Sequence, residues 1–302
     1  MKINITAHRH IWLSISGALI ALSVALVSIF GFNLGLDFLG GIRWTVHFEE
    51  PVELQEMVAF FETQDLEKSA QIQPAADNDF LITLEEVSDT KLENISTTMK
   101  AEVGAFEEKS FRRVDSSIGA HFQQKAFTAI VTALLGIIIF IAIAFRKIPK
   151  SVNPWRFGGA AIIALFHDVL IILAIFTVLG AVADVELDLQ FITAVLATLG
   201  FSVNDTIVIL DRVRENLRLQ KAHEDFQDTI EKSVQQTLRR SINTSVSTLL
   251  PLLGLLFFGA DSLFYFILAL VIGITIGTYS SIFLAAPVLV TWKKWADRRY
   301  QK

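Results

Sequence analysis

Apolar and polar residues alternate on two different periods along this chain. Six stretches read as continuous apolar runs, at residues 11–32, 126–145, 157–183, 189–210, 241–260 and 262–292. A helix that crosses a bilayer needs about 20 mostly apolar residues, so each run is long enough to span. Four of the six hold no charge. The third is interrupted by His167 and Asp168, and the fourth by Asp205. The first run exceeds the apolar core of a cleaved leader, about 7–15 residues, and no small-x-small site follows it. It reads as a retained anchor.

Residues 33–125 follow a different pattern. IRWTVHF (42–48) alternates as a half-buried strand does. Pro51 opens a helical run to about residue 63, with Leu54, Met57, Val58 and Phe61 on one side. Short strands are predicted at 70–73 and 80–84, joined by a turn-rich stretch at 74–79. A second helix covers 89–103, and a last strand covers 110–114. The order β-α-β-β-α-β predicts a small α+β domain of ferredoxin-like type. The expected architecture is a membrane bundle of six helices with one such domain inserted after the first. The chain then divides into residues 1–32, the insert 33–125, five further spans over 126–292, and a tail at 293–302.

Composition agrees with this pattern. Hydrophobic residues make up 52% and charged residues 19%, against roughly 25% charged in soluble domains. A soluble enzyme, a disordered chain and a small secreted scaffold are excluded. The net charge is −5, which does not suit nucleic acid. With no cysteine, thiolate chemistry is excluded.

Charge is sorted by side. Lys2 and Arg9 precede the first run. Arg146, Lys147, Lys150 and Arg156 lie between the second and third. Seven basic residues fall between Asp211 and Arg240, and five follow Trp292. The link at 184–188 carries Asp184, Glu186 and Asp188 without a basic residue. Positive residues stay on the cytoplasmic side, so both termini are expected there and the insert outside. The insert carries eighteen acidic and eight basic residues.

Charges inside the apolar runs are the candidate chemistry. A carboxylate near the bilayer centre costs at least about 2.5–3.5 kcal/mol and usually faces a bundle interior. Asp205 falls in the cytoplasmic half of the fourth span. Arg240 opens the fifth from the same side, so the two reach similar depth. Desolvation and a nearby guanidinium act in opposite directions on a carboxylate's proton affinity. Moving Arg240 relative to Asp205 would therefore load and unload a proton. A static ion pair that fixes helix packing is the alternative, and Arg240 alone also fits an interfacial anchor. Thr244, one turn beyond Arg240, suits either a backbone bond or the Asp205 neighbourhood. His167 and Asp168 suit either a proton path or a bond to a neighbouring helix. Gly273, Gly277, Ser281 and Ala285 form a stripe of small residues that lets helices approach closely.

Other chemistries lack their motifs. There is no phosphate-binding loop, no nucleophile elbow and no zinc-protease pair. The six His are scattered, and His8 with His10 makes a poor metal site. Neither catalytic residues, a metal nor a cofactor is expected, and an ion gradient is the expected source of energy.

The motifs carry a resemblance. NLGLDFLGG (33–41) with Asp37, Gly40 and Gly41, ALFHDV (164–169), GFSVNDTIVILDRVREN (200–216) with Asn204, and QTLRRSINTSVSTLL (236–250) resemble the SecF family of protein translocase subunits, within the proton-driven RND-type permeases. The resemblance covers nearly the whole chain. It implies half of an RND-type membrane bundle with one periplasmic domain in the bacterial inner membrane. The implied partners are SecD, the SecYEG channel, SecA, YajC-type accessory subunits, membrane lipids and a translocating preprotein, with no nucleic acid. It implies that the proton gradient assists late steps of export. It places the proton relay on Asp205, Arg240 and Thr244. The chain departs from the family pattern at VDSSIG (114–119) and at Ser241, where Thr is usual. An exporter of small molecules or lipids and a static assembly factor are the competing readings.

Overall fold

The computed structural model describes residues 4–64, 66, 70–75, 78–85, 87–146, 154–220 and 224–300. Of the residues named above for charge, Lys2, Lys147 and Lys150 lie outside the described residues, as does part of the turn expected at 74–79. In chain order the elements are α1 (Arg9–Phe30), α2 (Leu36–Leu39), β1 (Gly41–Phe48), α3 (Leu54–Thr63), β2 (Ala70–Pro74), β3 (Asp79–Leu84), α4 (Asp89–Glu102) and β4 (Phe106–Val114). They continue with α5 (Ser116–Ala144), α6 (Pro154–Ala183), α7 (Leu189–Leu219), α8 (Phe226–Phe258), α9 (Phe264–Ser280) and α10 (Ala286–Tyr300). The chain divides into two compact units, Leu34–Thr128 and the remainder.

Among the described residues, six helices are long and apolar enough to cross a bilayer. The sixth span is not one regular helix. A 3₁₀ turn at Asp261–Leu263 precedes α9, and a π-helical turn at Ser281–Ala285 joins α9 to α10. Nothing in an apolar run signals such a turn, because it follows from how Ser280 and Ser281 are held. The third, fourth and sixth spans form the centre, each with half of its apolar window buried inside the chain. The first, second and fifth lie outside and present side chains such as Phe127, Phe257 and Phe258 outward.

Local chemistry sets the helix ends. The N–H of Gly31, at φ +69°, bonds back to Val27 O and stops α1. Asp188 caps α7, its carboxylate accepting from Phe191 N at 2.8 Å; this satisfies one of the free N–H groups of the first turn. α8 runs through Pro251 as one helix. Ahead of α1, Thr6 N donates to Glu231 Oε2 of α8 at 2.7 Å. Gln227 Oε1 of α8 accepts from Arg9 at 3.2 Å and from Lys294 of α10 at 2.6 Å. The start of the chain is thereby fastened to α8 and α10.

The insert is the ferredoxin-like domain that the pattern predicts. Its strands lie in the order β2-β3-β1-β4, every neighbouring pair antiparallel. Ile42, Trp44, Val46 and Phe48 of β1 share one face with Phe80, Ile82 and Leu84 of β3. They pack on Met57, Phe60 and Phe61 of α3 and on Ile95 and Met99 of α4. Two boundaries differ from expectation. α3 begins at Leu54 rather than Pro51, because Glu53 is extended and serves as the cap. β4 begins at Phe106 rather than Ser110. Its first half, Glu107 to Lys109, is an exposed charged edge without alternation, a device that discourages edge-to-edge pairing. A register shift between Thr45 and Val46 lets Phe106 turn inward against Trp44 and Phe48.

Asp37, Gly40 and Gly41 belong to this unit. Asp37 is buried, and Arg112 of β4 donates to it at 2.7 Å. Gly40 and Gly41 sit at φ +76° and +122°. A Cβ on Gly40 would lie 2.7 Å from Ser116 Cα, and one on Gly41 2.4 Å from Leu84 O. Gly119, in the stretch that departs from the family pattern, lies equally close to Phe38 O at 2.7 Å. Gly41→Ala is therefore expected to destabilise the insert by about 2 kcal/mol or more, since it adds a left-handed-backbone penalty to a backbone clash. Limited proteolysis of the full chain would show faster cleavage within residues 34–128.

One surface cluster gives the insert a pH response. Lys109 Nζ at 2.8 Å and His47 Nδ1 at 2.7 Å both donate to Asp79. Lys109 first, and His47 with it, hold the Asp79 carboxyl below its ordinary value of 3.8. A lowered carboxyl adds stability that is fully present above the ordinary value and lost as pH falls through the lowered one. Acid below about pH 4 is expected to loosen the β1–β3–β4 corner. The effect is small because the cluster is exposed. Asp79→Asn should flatten the acid limb of the insert's melting temperature against pH.

Candidate functional site

α7 buries one continuous face, with Thr198, Ser202, Asp205, Thr206 and Ile209 recurring at steps of three and four. Asp205 thus points into the bundle against α8. Its Oδ1 accepts from Ser241 Oγ at 2.6 Å. Its Oδ2 is buried and makes no hydrogen bond, and no cation lies within 4.0 Å of the carboxylate among the described residues. A carboxylate has about four acceptor positions. This one therefore keeps an oxygen free for a proton or an incoming donor.

Arg240 directly precedes Ser241, so its backbone lies at the depth of Asp205, but its side chain is on the exposed side of α8. The two charges are neighbours in height, close enough to interact but without a contact inside 4.0 Å. Thr244 is exposed, and its hydroxyl bonds back to Arg240 O at 2.9 Å. Asn204 is exposed on α7. Together with Asn243 and Ser247, these side chains place polar groups on the outer surface of α7 and α8. A hydrocarbon environment does not satisfy such groups.

A second polar centre lies beside the first. Asp168 of α6 is 2% exposed and His167 fully buried. Asp168 Oδ2 accepts from Ser202 Oγ of α7 at 2.5 Å and from Ser280 Oγ of α9 at 2.8 Å. Its Oδ1 accepts from His167 Nδ1 at 2.9 Å, which assigns the ring proton to that nitrogen. His167 stacks on Tyr279, ring centroids 6.0 Å apart, and Tyr279 meets Ser16 of α1 at 3.2 Å. The next residue of the sixth span, Ser281, pairs with Thr206 Oγ1 at 2.7 Å and donates to Ser202 O at 3.4 Å. Ser280 thus holds Asp168, and Ser281 holds the residue that follows Asp205. The π turn starts there, and such turns gather at functional positions.

The glycine stripe brings these groups together. A Cβ on Gly273 would lie 2.4 Å from Thr198 Cγ2, and one on Gly277 2.9 Å from Ser202 Cβ. α9 therefore lies close against α7, which puts Ser280 within reach of Asp168. Ser245 of α8 pairs with Thr278 of α9 at 2.6 Å and closes the ring of helices. Sequence reasoning named Asp205, Asp168 and His167, noted Ser241 only as a departure from the family pattern, and missed Ser202 and Ser280. A faint signal existed, since Ser202 sits one turn before Asp205 on the same face. No cluster of three or more His, Asp or Glu able to hold a metal is present among the described residues.

Comparison with known proteins gives consistent matches. Residues 94–295 match the family described as protein export membrane protein SecD/SecF, C-terminal, and residues 25–52 match the SecD/SecF GG motif. The protein translocase subunit SecF of Thermobaculum terrenum is 38% identical, with 96% of this chain and 94% of that protein covered. SecF of Anaerolinea thermophila is 34% identical over 99% of this chain and 97% of its own length. The protein translocase subunit SecDF of Thermus thermophilus is 35% identical over 91% of this chain but only 36% of its own length. The crystal structure of the translocon-associated SecDF from the same organism superposes with a TM-score of 0.83 at 33% identity. That match covers 97% of this chain and 39% of the other.

Proposed function

The chain belongs to the SecD/SecF family of protein export membrane proteins, and we propose that it is a SecF-type subunit that pairs with SecD and uses the proton gradient to assist late export. In this reading it is a multi-pass inner-membrane protein with both termini in the cytoplasm. The insert lies in the periplasm, where it meets the emerging preprotein. The pair acts beside the SecYEG channel, after SecA has begun translocation, with YajC-type subunits as further neighbours. The chain is a transport subunit rather than an enzyme.

The observation that carries the proposal is Asp205, a buried carboxylate with one hydroxyl donor and one unpartnered oxygen. A proton arriving at Oδ2 neutralises it. An ionised Asp205 attracts the guanidinium of Arg240, one residue from its Ser241 partner, and a neutral Asp205 does not. Load and release then switch a contact between α7 and α8. α8 in turn is tied to α9 through Ser245 and to the chain's start through Glu231. A proton-dependent shift of α8 would pass to the rest of the bundle.

Support for SecD as the partner comes from the relative in which SecD and SecF form one chain, of which this chain spans about a third. The polar outer face of α7 and α8 favours the same reading, since Asn204, Arg240 and Asn243 need a protein cover within the bilayer. Co-purification tests the assignment. The tagged chain is expected to retain SecD and SecY from membranes solubilised in mild detergent. Recovery of neither would remove the export reading.

A further inference from the structure

A groove of about 460 Å³ runs along the outside of the bundle, walled by α5 and α6 and closed at one side by α10. Its size falls within the range of small-molecule sites, roughly 300–1,000 Å³. Gly158 and Gly159 let neighbouring side chains pack close against α6 at its floor. The Trp292 indole lies so close to Gly159 that a Cβ there would approach the ring to 2.5 Å. Buried Ile141 of α5 packs at Gly158, 3.6 Å from its Cβ position. The rings of Phe145 and Phe157, tilted at 34° with centroids 5.5 Å apart, hold α5 to α6 at this end.

One end of the groove is apolar and the other is not. Arg146 stands at the mouth, exposed, and its guanidinium has no hydrogen bond or ion pair among the described residues. It is not needed to close α5, because Arg214 of α7 already donates to Ala144 O at 2.8 Å. Trp155 lines the same end and is 80% exposed. Tryptophan collects at the level of lipid headgroups. Basic pockets between transmembrane helices on the cytoplasmic side take anionic headgroups.

We propose that this groove is a binding site for one anionic phospholipid, an acyl chain lying along Ile138, Ala142 and Ile162 and the headgroup phosphate on Arg146. An apolar channel open to the bilayer fills with hydrocarbon rather than water. The lone guanidinium adds a preference for negative headgroups. Lipid at this position would wedge α5 against the bundle, to which it is fastened mainly by the Phe145 and Ile141 contacts. The site is independent of the export reading and of Asp205.

Lipids brominated on their acyl chains quench nearby tryptophan, which makes Trp155 and Trp292 reporters. The full chain is reconstituted in phosphatidylcholine vesicles holding a small equal fraction of brominated phosphatidylglycerol or brominated phosphatidylcholine. Brominated phosphatidylglycerol should half-quench at about fivefold lower content, the ratio given by roughly 1 kcal/mol per basic residue at a membrane surface. The difference should vanish in Arg146→Gln, which alters only an exposed side chain. Ala142→Phe, which fills the groove from an exposed position on α5, should weaken quenching by both lipids. Trp155→Phe with Trp292→Phe should remove the selective part of the signal. Equal quenching by the two lipids, or selectivity that survives Arg146→Gln, would overturn the proposal. Absence of quenching at Trp155 and Trp292 would overturn it too, because a protein segment would then cover the groove.

Discussion

Asp205→Asn is expected to leave a chain that inserts, accumulates and assembles normally, while its contribution to export falls to that of a strain lacking the chain. Asparagine is nearly the same size, and its Oδ1 still accepts from Ser241 at the 2.6 Å position. The second oxygen has no partner to lose. The substitution therefore removes no packing and no existing hydrogen bond, and it relieves a carboxylate burial that costs at least about 2.5–3.5 kcal/mol. What disappears is the ability to exchange a proton. Pulse-labelled processing of an exported protein, measured beside the recovery of SecD with the variant, separates the outcomes. Slow processing with normal recovery is the expected result. Normal processing with normal recovery would reduce Asp205 to a packing residue and favour a static assembly factor.

Asp168→Ala is expected to act in the opposite way, through stability. Ser202 Oγ and His167 Nδ1 would lose their acceptor inside a closed bundle, and a void would replace the carboxylate. A buried donor left unsatisfied costs about 1–3 kcal/mol. Ser280 has a fallback at Gly277 O, 3.1 Å away. Hydrogen bonds between membrane helices average only about 0.6 kcal/mol. Together these point to a loss of about 2–4 kcal/mol. The variant should melt well below the parent in detergent and accumulate poorly in membranes, whereas Asp205→Asn should melt like the parent. Asp168→Asn, which keeps one acceptor oxygen, should fall between them. A parental melting curve for Asp168→Ala would remove the structural role given to this centre.

The contrast between the two aspartates explains how much the sequence could convey. Hydropathy alone located both, because a carboxylate in an apolar run is conspicuous. It could not tell them apart, since their difference lies in who donates to them. Asp168 collects donors from three helices because Gly273 and Gly277 bring α9 against α7. Asp205 collects one, from Ser241. Serine in an apolar helix carries almost no signal, as its hydroxyl can bond its own backbone. Ser245 does this, at Ser241 O. The π turn was likewise invisible, being set by Ser280 and Ser281 on opposite partners rather than by local composition. The insert was more legible. IRWTVHF alternates cleanly and becomes β1, while the charged edge EEK of β4 hides its strand character. Gly40 and Gly41 stood out as a motif, but their reason needed coordinates: one faces Ser116 and the other the carbonyl of Leu84.

Conversion of a proton gradient into assistance for export can be followed in inverted inner-membrane vesicles that contain or lack the chain, each loaded with a preprotein already engaged by the channel. The rate of completed translocation is followed with the gradient intact and after an uncoupler collapses it. The chain is expected to accelerate completion only while the gradient stands, and vesicles carrying Asp205→Asn to behave as if the uncoupler were present. Equal acceleration by the chain with and without the gradient would contradict it.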